Sequence, residues 1–221
     1  MTIFVFNNNT NRMERFERGL NDPMPYNTGN TLTVRDFRGS SKANILFTDR
    51  RVMEAWNAFR RYYGRPIDVG FAFKRIWEGG HGQQSQHYTG TAFDVGQKMT
   101  AAQRNELYNA AIRSGIWGYV EPLSLTPSWV HFDRRIGAVS GYPTLREGNR
   151  GIYVMLLQDA LNALGRPTNG MDGIFGPGTR NAVVNFQRTN GLAADGIVGP
   201  ITWARLVKQA VGIGKTATVI D

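Results

Sequence analysis

The sequence predicts an α+β fold in residues 1–140, with a small antiparallel sheet and helices, followed by a three-helix unit in residues 141–221. Residues 1–140 contain segments of both helical and strand periodicity, whereas the second part has apolar residues at helical spacing only. The second part also contains an internal repeat. Between them, RRIGAVSGYPTLREGNRG collects glycine, proline and serine without apolar periodicity, and we place the boundary near Gly141.

Two helices and three strands account for the first part. The segment RVMEAWNAFRRYYG has one apolar face and predicts a helix that ends at Gly64. A second helix is predicted from a cap at Thr100 to Gly115. The segments IDVGFAF, TAFDVG and SWVHFD predict short strands, and the last of these has alternating character. The first 45 residues receive no functional assignment.

The second part is organised by its repeat. DGIFGPGT (172–179) returns as DGIVGPIT (195–202), 23 residues later, and each copy is followed by apolar residues at helical spacing. Another helix precedes both copies. The glycine of each Asp-Gly pair permits a positive φ, and we expect Thr179 and Thr202 to cap the helices that follow. The pattern predicts three helices with two matching loops.

The segment from about Tyr142 to Leu206 resembles the peptidoglycan-binding domain found on many wall hydrolases. Its glycines, its Leu-Gln pair, Phe186-Gln187 and Trp203 carry the resemblance. The resemblance implies a three-helix module that targets the glycopeptide of the bacterial cell wall. The alternative is that the repeats are helix-entry turns that serve packing.

Two separate segments carry residue types that suit a metal site. His87 and Asp94 lie in SQHYTGTAFDVG, and His131 lies in WVHFD. A catalytic zinc takes three protein ligands, and two neutral imidazoles with one carboxylate leave the ion a net positive charge that polarises a carbonyl. Gly90 lets the chain bend back after His87, and Ala92 keeps the strand thin. The alternative is that these residues form a buried strand and a turn with polar side chains, without a metal.

The pattern SxHxxGxAxD followed by a late W-V-H is similar to that of the zinc D-Ala-D-Ala metallopeptidases. The similarity covers roughly Ile67 to Arg135. It implies the fold of those peptidases and a Zn²⁺ ion held by His87, Asp94 and His131.

The chain differs from the family pattern at the position of the general base. Enzymes of this family often have a glutamate three residues before the last zinc histidine, and this chain has Ser128 there. Glu121, in the preceding loop, is one candidate for the carboxylate that accepts a proton. Asp133, two residues after His131 on the same strand face, is the other, as a base or as a residue that orients a zinc histidine.

Two further residues are candidates for substrate binding. His81, flanked by glycines, is a candidate hydrogen-bond donor to an oxyanion, with a surface loop position as the alternative. Family members often have an upstream arginine that holds the substrate carboxylate, and the slot near Gly70 and Phe71 has none. Arg75 is the nearby candidate, because a guanidinium binds a carboxylate through two parallel hydrogen bonds.

The charge and composition of the chain limit the classes of partner that we expect it to bind. The chain has 221 residues, no cysteine and a formal charge of +9 that is spread along it, which favours a polyanionic partner such as a cell wall. A basic stripe with interleaved aromatic residues is absent, which argues against nucleic acid. The start, MTIFVFNNNTNRMERF, lacks the pattern of a signal peptide or a membrane span. The resemblances imply a location outside the cell or at the cell wall, and without a signal peptide we expect the protein to reach it through lysis or a dedicated exporter.

These features predict a zinc-dependent peptidase that hydrolyses stem or cross-link peptide bonds of peptidoglycan and is anchored to the wall by its C-terminal module. Two alternatives stay open. One is a catalytically inactive, zinc-containing wall-binding protein, because Ser128 replaces the usual glutamate and the upstream arginine is missing. The other is an N-acetylmuramoyl-L-alanine amidase. The sequence leaves the oligomeric state and the bond that is cut undetermined.

Overall fold

A computed structural model describes residues 1–137 and 141–213 of the chain. The strands are β1 (Thr2–Asn7), β2 (Arg12–Glu17), β3 (Ile45–Asp49), β4 (Val69–Phe71), β5 (Ala92–Val95), β6 (Tyr119–Val120) and β7 (Val130–Asp133). The helices are α1 (Val34–Arg38), α2 (Arg50–Tyr63), α3 (Ala101–Ser114), α4 (Ile152–Ala163), α5 (Pro177–Thr189) and α6 (Pro200–Ala210). Two 3₁₀ turns, Ile76–Glu78 and Gln86–Thr89, lie between β4 and β5. The predicted α+β class is confirmed.

The predicted sheet is four-stranded and antiparallel, in the order β4-β5-β7-β6. Its three longer strands lie within the three segments of predicted strand character. β6 has only two residues, too few for alternation to be visible in the sequence. A second sheet, in the order β2-β1-β3, occupies the N-terminal region for which we predicted no strand, and β1 pairs with β3 in parallel.

Both predicted helices of the first part are confirmed with their ends. α2 ends at Gly64, whose left-handed φ of 71° closes the last turn. The hydroxyl of Thr100 accepts a hydrogen bond from the backbone N–H of Gln103 at the start of α3, and Gly115 ends that helix. These caps are local interactions, which is why the sequence predicts them well.

Helix α4 joins the two parts of the chain. All 12 of its residues are buried. It packs against α5 and α6 on one side, and against β3 and both 3₁₀ turns on the other. Because a helix buried on every face belongs to the interior of a larger core, the three C-terminal helices share one hydrophobic core with the first part. The boundary near Gly141 stays a prediction, and the adjoining residues 138–140 lie outside the described ranges.

The two copies of the repeat are braced by equivalent glutamines. Gln158 of α4 donates through Nε2 to the Asp172 carboxylate (2.8 Å) and to the Thr179 hydroxyl (3.1 Å). Gln187 of α5 makes the matching bonds to the Asp195 carboxylate (2.8 Å) and to the hydroxyl of Thr202 (3.2 Å). Each glutamine also accepts a hydrogen bond, from the backbone N–H of the glycine that follows the aspartate. In each copy of the repeat, a glutamine of the preceding helix thus binds both the Asp-Gly loop and the first turn of the next helix.

The predicted threonine caps are wrong. Gly176 and Gly199 are the cap residues of α5 and α6, and a proline follows each of them in the first turn. Thr179 and Thr202 lie inside the helices, where their buried hydroxyls accept from the bracing glutamines. The Gly-Pro pair was the better signal for the helix start.

Replacing Gln187 with leucine should destabilise the protein by about 2–3 kcal/mol, because the buried backbone N–H of Gly196 and its neighbours lose their partners. Urea denaturation measures this change. Gln209 of α6 is exposed, so Gln209→Leu is the matched control and should change the stability by less than about 0.5 kcal/mol. Equal effects of the two substitutions would contradict the bracing role.

Candidate metal centre

Strand register brings two of the predicted ligands together. β5 and β7 are antiparallel neighbours, and Asp94 is the direct partner of His131. Side chains of directly paired residues lie on the same face of a sheet. Asp94 Oδ1 lies 2.7 Å from His131 Nδ1.

The second 3₁₀ turn supplies the third predicted ligand. His87 follows Ser85, whose hydroxyl accepts from the backbone N–H of His87 (3.3 Å). The turn ends at Gly90, with a φ of 64°. A Cβ at Gly90 would lie 2.1 Å from the backbone oxygen of Phe47, so only glycine lets the chain pass β3 and enter β5. The bend places His87 Nε2 3.3 Å from Asp94 Oδ1.

The donor set of this cluster fits zinc. One ligand atom from each of His87, Asp94 and His131 lies within 4.8 Å of the others. His87 Nδ1 is 3.0 Å from the backbone oxygen of Ala72, and a carbonyl only accepts, so this nitrogen carries the hydrogen and Nε2 is the one with a free lone pair. His131 Nε2 faces Asp133 Oδ2 at 3.5 Å, which leaves Nδ1 toward the cluster. In zinc sites, the ring nitrogen of a histidine ligand that does not bind the metal typically donates a hydrogen bond to a carboxylate or a carbonyl.

In the absence of metal, Asp94 and His131 shift each other's pKa values in opposite directions. Burial raises the pKa of Asp94, but the hydrogen bond from His131 (2.7 Å) and the charge of that ring hold it well below its ordinary value. Burial lowers the pKa of His131, but its hydrogen bonds to Asp133 and Asp94 and their charges outweigh burial and raise the pKa to about 9. His131 is therefore a cation between two carboxylates at neutral pH.

Zinc affinity should rise with pH, because an ion has to displace the proton that His131 carries below its pKa of about 9. We expect a gain of roughly tenfold per unit between about pH 6 and about pH 8. Calorimetry near neutral pH, in two buffers of different ionisation enthalpy, should report about one proton released from His131 per ion. An affinity that stays constant over this range would contradict a ligand role for His131.

The cluster lies in the wall of an open cleft of about 330 Å³. Three other predicted site residues, Glu121, Asp133 and His81, also line the cleft. The remaining lining residues are Gly82, Gln84, Ser85, Gln86, Tyr119, Trp129 and Arg135.

The two candidate bases differ in their surroundings. Asp133 is only 1% exposed, and its carboxylate accepts from Arg135 Nε (3.1 Å) besides facing His131. Glu121 is half-buried at the end of β6, and its backbone N–H donates to the backbone oxygen of His131 (3.0 Å). Within the described part of the chain, its carboxylate takes part in no hydrogen bond or ion pair. The Asp133 carboxylate is thus paired with charged neighbours, whereas that of Glu121 has no such partner among the described residues.

His81 stands next to the cluster. Its ring centre is 4.7 Å from that of His87 and 4.6 Å from that of Phe71. The Tyr88 hydroxyl holds the His81 backbone, since it donates to the carbonyl (3.2 Å) and accepts from the N–H (3.1 Å). Burial and then the nearby His87 lower the pKa of His81 to about 4. The ring is neutral at pH 7 and able to donate one hydrogen bond into the cleft.

Arg75 is placed elsewhere. Its guanidinium is 1% exposed and forms a bidentate ion pair with Asp159 of α4, through Nε (2.9 Å) and Nη2 (2.7 Å). It does not line the cleft. The expectation that Arg75 binds a substrate carboxylate has no support in this geometry, because the carboxylate that it binds belongs to the chain itself.

Sequence reasoning missed three side chains of the cleft. Arg135 lies over the ring of Tyr119 at 4.2 Å and is the single lysine or arginine among the described lining residues. It follows Asp133 by two residues, so extending the alternation of β7 past its end would have found it. Tyr119 lies opposite Asp133 on β6, and Trp129 precedes β7. Trp129 is the first residue of the W-V-H motif but received no role, and no motif pointed to Tyr119.

Comparisons with known proteins assign the C-terminal part. Residues 150–206 match the family model described as a putative peptidoglycan binding domain. The match covers α4, α5 and most of α6. This part of the chain is a peptidoglycan-binding domain, as the resemblance implied.

The chain is also similar to named wall enzymes. It is 43% identical over 79 residues to the zinc D-Ala-D-Ala carboxypeptidase of Streptomyces albus G, covering 32% of this chain and 30% of that protein. It is 48% identical over 63 residues to the N-acetylmuramoyl-L-alanine amidase CwlL of Bacillus licheniformis, covering 26% of this chain and 18% of that protein. The crystal structure of Burkholderia AP3 phage endolysin matches 29% of this chain and 24% of that chain, with 52% identity and a TM-score of 0.28.

These matches are partial. The chain covers from 17% to 64% of the length of the curated relatives. The domain indicates association with the cell wall. Among the described residues, the helices are too short or too polar to cross a bilayer.

Proposed function

We propose that the chain is a zinc-dependent peptidase that hydrolyses stem or cross-link peptide bonds of bacterial peptidoglycan, with its C-terminal unit bound to the wall. The observation that carries this proposal is the convergence of His87, Asp94 and His131 in an open cleft. Two imidazoles and one carboxylate are a set that catalytic zinc takes. A zinc ion bound there would supply a Lewis acid for an amide carbonyl and lower the pKa of water.

The chain's own residues provide the proton transfers. Glu121 lines the cleft with an unengaged carboxylate, which suits it to accept a proton from water and to deliver it to the leaving amine. Asp133 holds the His131 ring in the tautomer that leaves Nδ1 toward the cluster. The neutral His81 ring can donate to the oxygen on which negative charge develops.

Glu121→Gln should reduce hydrolysis by about 10²–10⁴-fold with zinc affinity unchanged, because it removes a proton acceptor but no ligand. Asp133→Asn should instead weaken zinc binding by about 10–100-fold, because it alters the partner that orients the His131 ring. Equilibrium metal binding and peptide release, measured on both variants, separate the two roles. Full activity of Glu121→Gln would remove Glu121 from the mechanism.

One arginine stands beside the three carboxylates among the described residues that line the cleft. Arg135 lies in its wall and stacks on Tyr119, with its Nε held by Asp133. A guanidinium held in this way suits the carboxylates that stem peptides present. Among the residues that line the cleft, Arg135 is thus our candidate for the substrate-binding role that we expected of Arg75, and the Asp133 carboxylate would have to share its guanidinium with the substrate.

Digestion of purified peptidoglycan tests the function directly. The products are analysed by mass spectrometry for new amine and carboxyl ends, before and after zinc is removed with a chelator and restored. The proposal expects cleavage between amino acids of the stem or cross-link, lost without metal and recovered with zinc. Undiminished cleavage by the metal-free protein would overturn it.

The amidase alternative has one specific observation in its favour, the similarity to an N-acetylmuramoyl-L-alanine amidase. It predicts that the same digest releases whole stem peptides with an L-alanine amino end and leaves unsubstituted glycan. A protein that binds zinc and wall but releases neither product would be the inactive binder.

A further inference from the structure

The C-terminal unit contacts the turn that carries His87. Two tyrosines of the C-terminal part reach this turn. The Tyr142 hydroxyl donates to the backbone oxygen of Ser85 (2.8 Å), and the Tyr153 hydroxyl donates to Gln86 Oε1 (2.9 Å). Ser85 and Gln86 are the two residues before the ligand.

Both tyrosines are built into the interior. Tyr142 is 7% exposed and Tyr153 is 4% exposed, and their ring centres are 5.7 Å apart. Tyr142 also packs edge-on against Trp203 of α6, at 5.0 Å. Burial raises the pKa of each hydroxyl well above its ordinary value. Both hydroxyls are therefore protonated donors at neutral pH.

The turn depends on such outside bonds. A 3₁₀ turn of four residues has poor internal hydrogen-bond geometry and is not stable alone. Gln86 is buried, and the acceptor of its side chain is shared by the hydroxyls of Tyr153 and Thr91. Loss of the tyrosine bonds leaves these two acceptors, directly before His87, with only their longer hydrogen bonds, from the backbone N–H of Tyr88 to Ser85 (3.2 Å) and from the hydroxyls of Thr91 (3.2 Å) and Thr89 (3.4 Å) to Gln86. This weakening favours a shift of the turn.

We propose that the C-terminal unit completes the metal centre, with Tyr142 and Tyr153 as positioning residues that hold the turn bearing His87. The peptidoglycan-binding domain is then more than an anchor, because its docked position determines how well the cluster binds metal. This inference rests on the proposed metal centre. It goes beyond that centre by assigning part of its geometry to residues outside the peptidase segment.

The consequence is a coupling between two sites. Metal at the cluster favours the docked arrangement of α4, and the docked arrangement favours metal, since binding couplings are reciprocal. Zinc should therefore protect the backbone amides of α4, as well as those of the turn, from hydrogen exchange.

The test uses the full chain and Co²⁺ as a spectroscopic probe. Tyr153→Phe, Tyr142→Phe and the double variant each remove only hydroxyl groups. We expect the double variant to bind Co²⁺ about 10–100-fold more weakly and to show altered visible absorption bands, as for loss of partners that orient ligands. Zinc competition gives the corresponding zinc affinity, and circular dichroism verifies that each variant is folded.

Tyr26→Phe is the matched control. Tyr26 is half-buried, and its hydroxyl is likewise hydrogen-bonded, to Asn7 and Glu14, but these residues lie on β1 and β2, away from the cluster. The Tyr26→Phe variant should have the same cobalt spectrum as the unmodified chain. Spectra and affinities of the double variant equal to those of the unmodified chain would overturn the positioning role. Failure of the unmodified chain to bind Co²⁺ or Zn²⁺ would instead overturn the metal centre itself.

Discussion

In the His87→Ala variant, zinc affinity should fall on the order of a thousandfold, because one of three ligands supplies roughly a third of a binding free energy of about 10–16 kcal/mol. Wall hydrolysis should fall to that of the metal-free protein. Equilibrium dialysis with metal analysis measures the first effect, and release of amine groups from peptidoglycan measures the second. The chain should still sediment with wall material, since the substitution removes no residue of the peptidoglycan-binding domain.

His81→Ala is the control for this experiment. It removes the same type of side chain six residues away, with a ring 4.7 Å from that of His87, yet His81 is outside the ligand cluster. We expect zinc stoichiometry to be preserved. If His81→Ala and His87→Ala lost zinc equally, the assignment of ligands within this group of histidines would be wrong.

Asp159→Leu should destabilise the fold by about 3–5 kcal/mol, because it leaves the buried cation of Arg75 without its main counter-charge. The pair joins α4 to the start of the first 3₁₀ turn. Guanidinium denaturation followed by tryptophan fluorescence measures the loss. Since this pair bridges the two parts of the shared core, the single transition expected of the unmodified chain should broaden or split in the variant.

The double variant Arg75→Met/Asp159→Leu distinguishes charge from packing. Replacing both members of a buried ion pair with apolar side chains of similar size is often neutral or stabilising. We expect it to recover most of the stability lost in Asp159→Leu. A double variant as unstable as the single one would show that the pair contributes through its other contacts, such as that of Arg75 with the sulfur of Met171.

The local parts of the site were the predictable ones. His87 and Asp94 lie in one short motif, and the alternation of β7 placed His131 and Asp133 on one face before any sheet was known. The motif also contained Gly90, whose positive φ has a local signature, whereas its close approach to Phe47 is a long-range contact that only the fold reveals. The ligand roles themselves stay predictions, which the metal-binding experiments test.

The role of Arg75 was not predictable in the same way. Its partner Asp159 is 84 residues away and lies in a helix assigned to a different part of the chain. An arginine near a predicted site is equally compatible with a substrate clamp and with a structural ion pair. Packing decides between them, because only the docking of α4 shows that its guanidinium is already engaged.

The sequence by itself determined the fold class, the five longer helices, the three longer strands of the four-stranded sheet, the wall-binding repeat and the candidate ligands, because each leaves a short motif or a periodic pattern in the chain. It did not reveal the sheet of β1, β2 and β3. Tertiary structure alone decided how the two parts meet. It buried α4 on every face, paired Arg75 with Asp159 and brought Tyr142 and Tyr153 to the turn before His87. Such contacts join residues distant in the chain, and their energy exists only once the common core has formed.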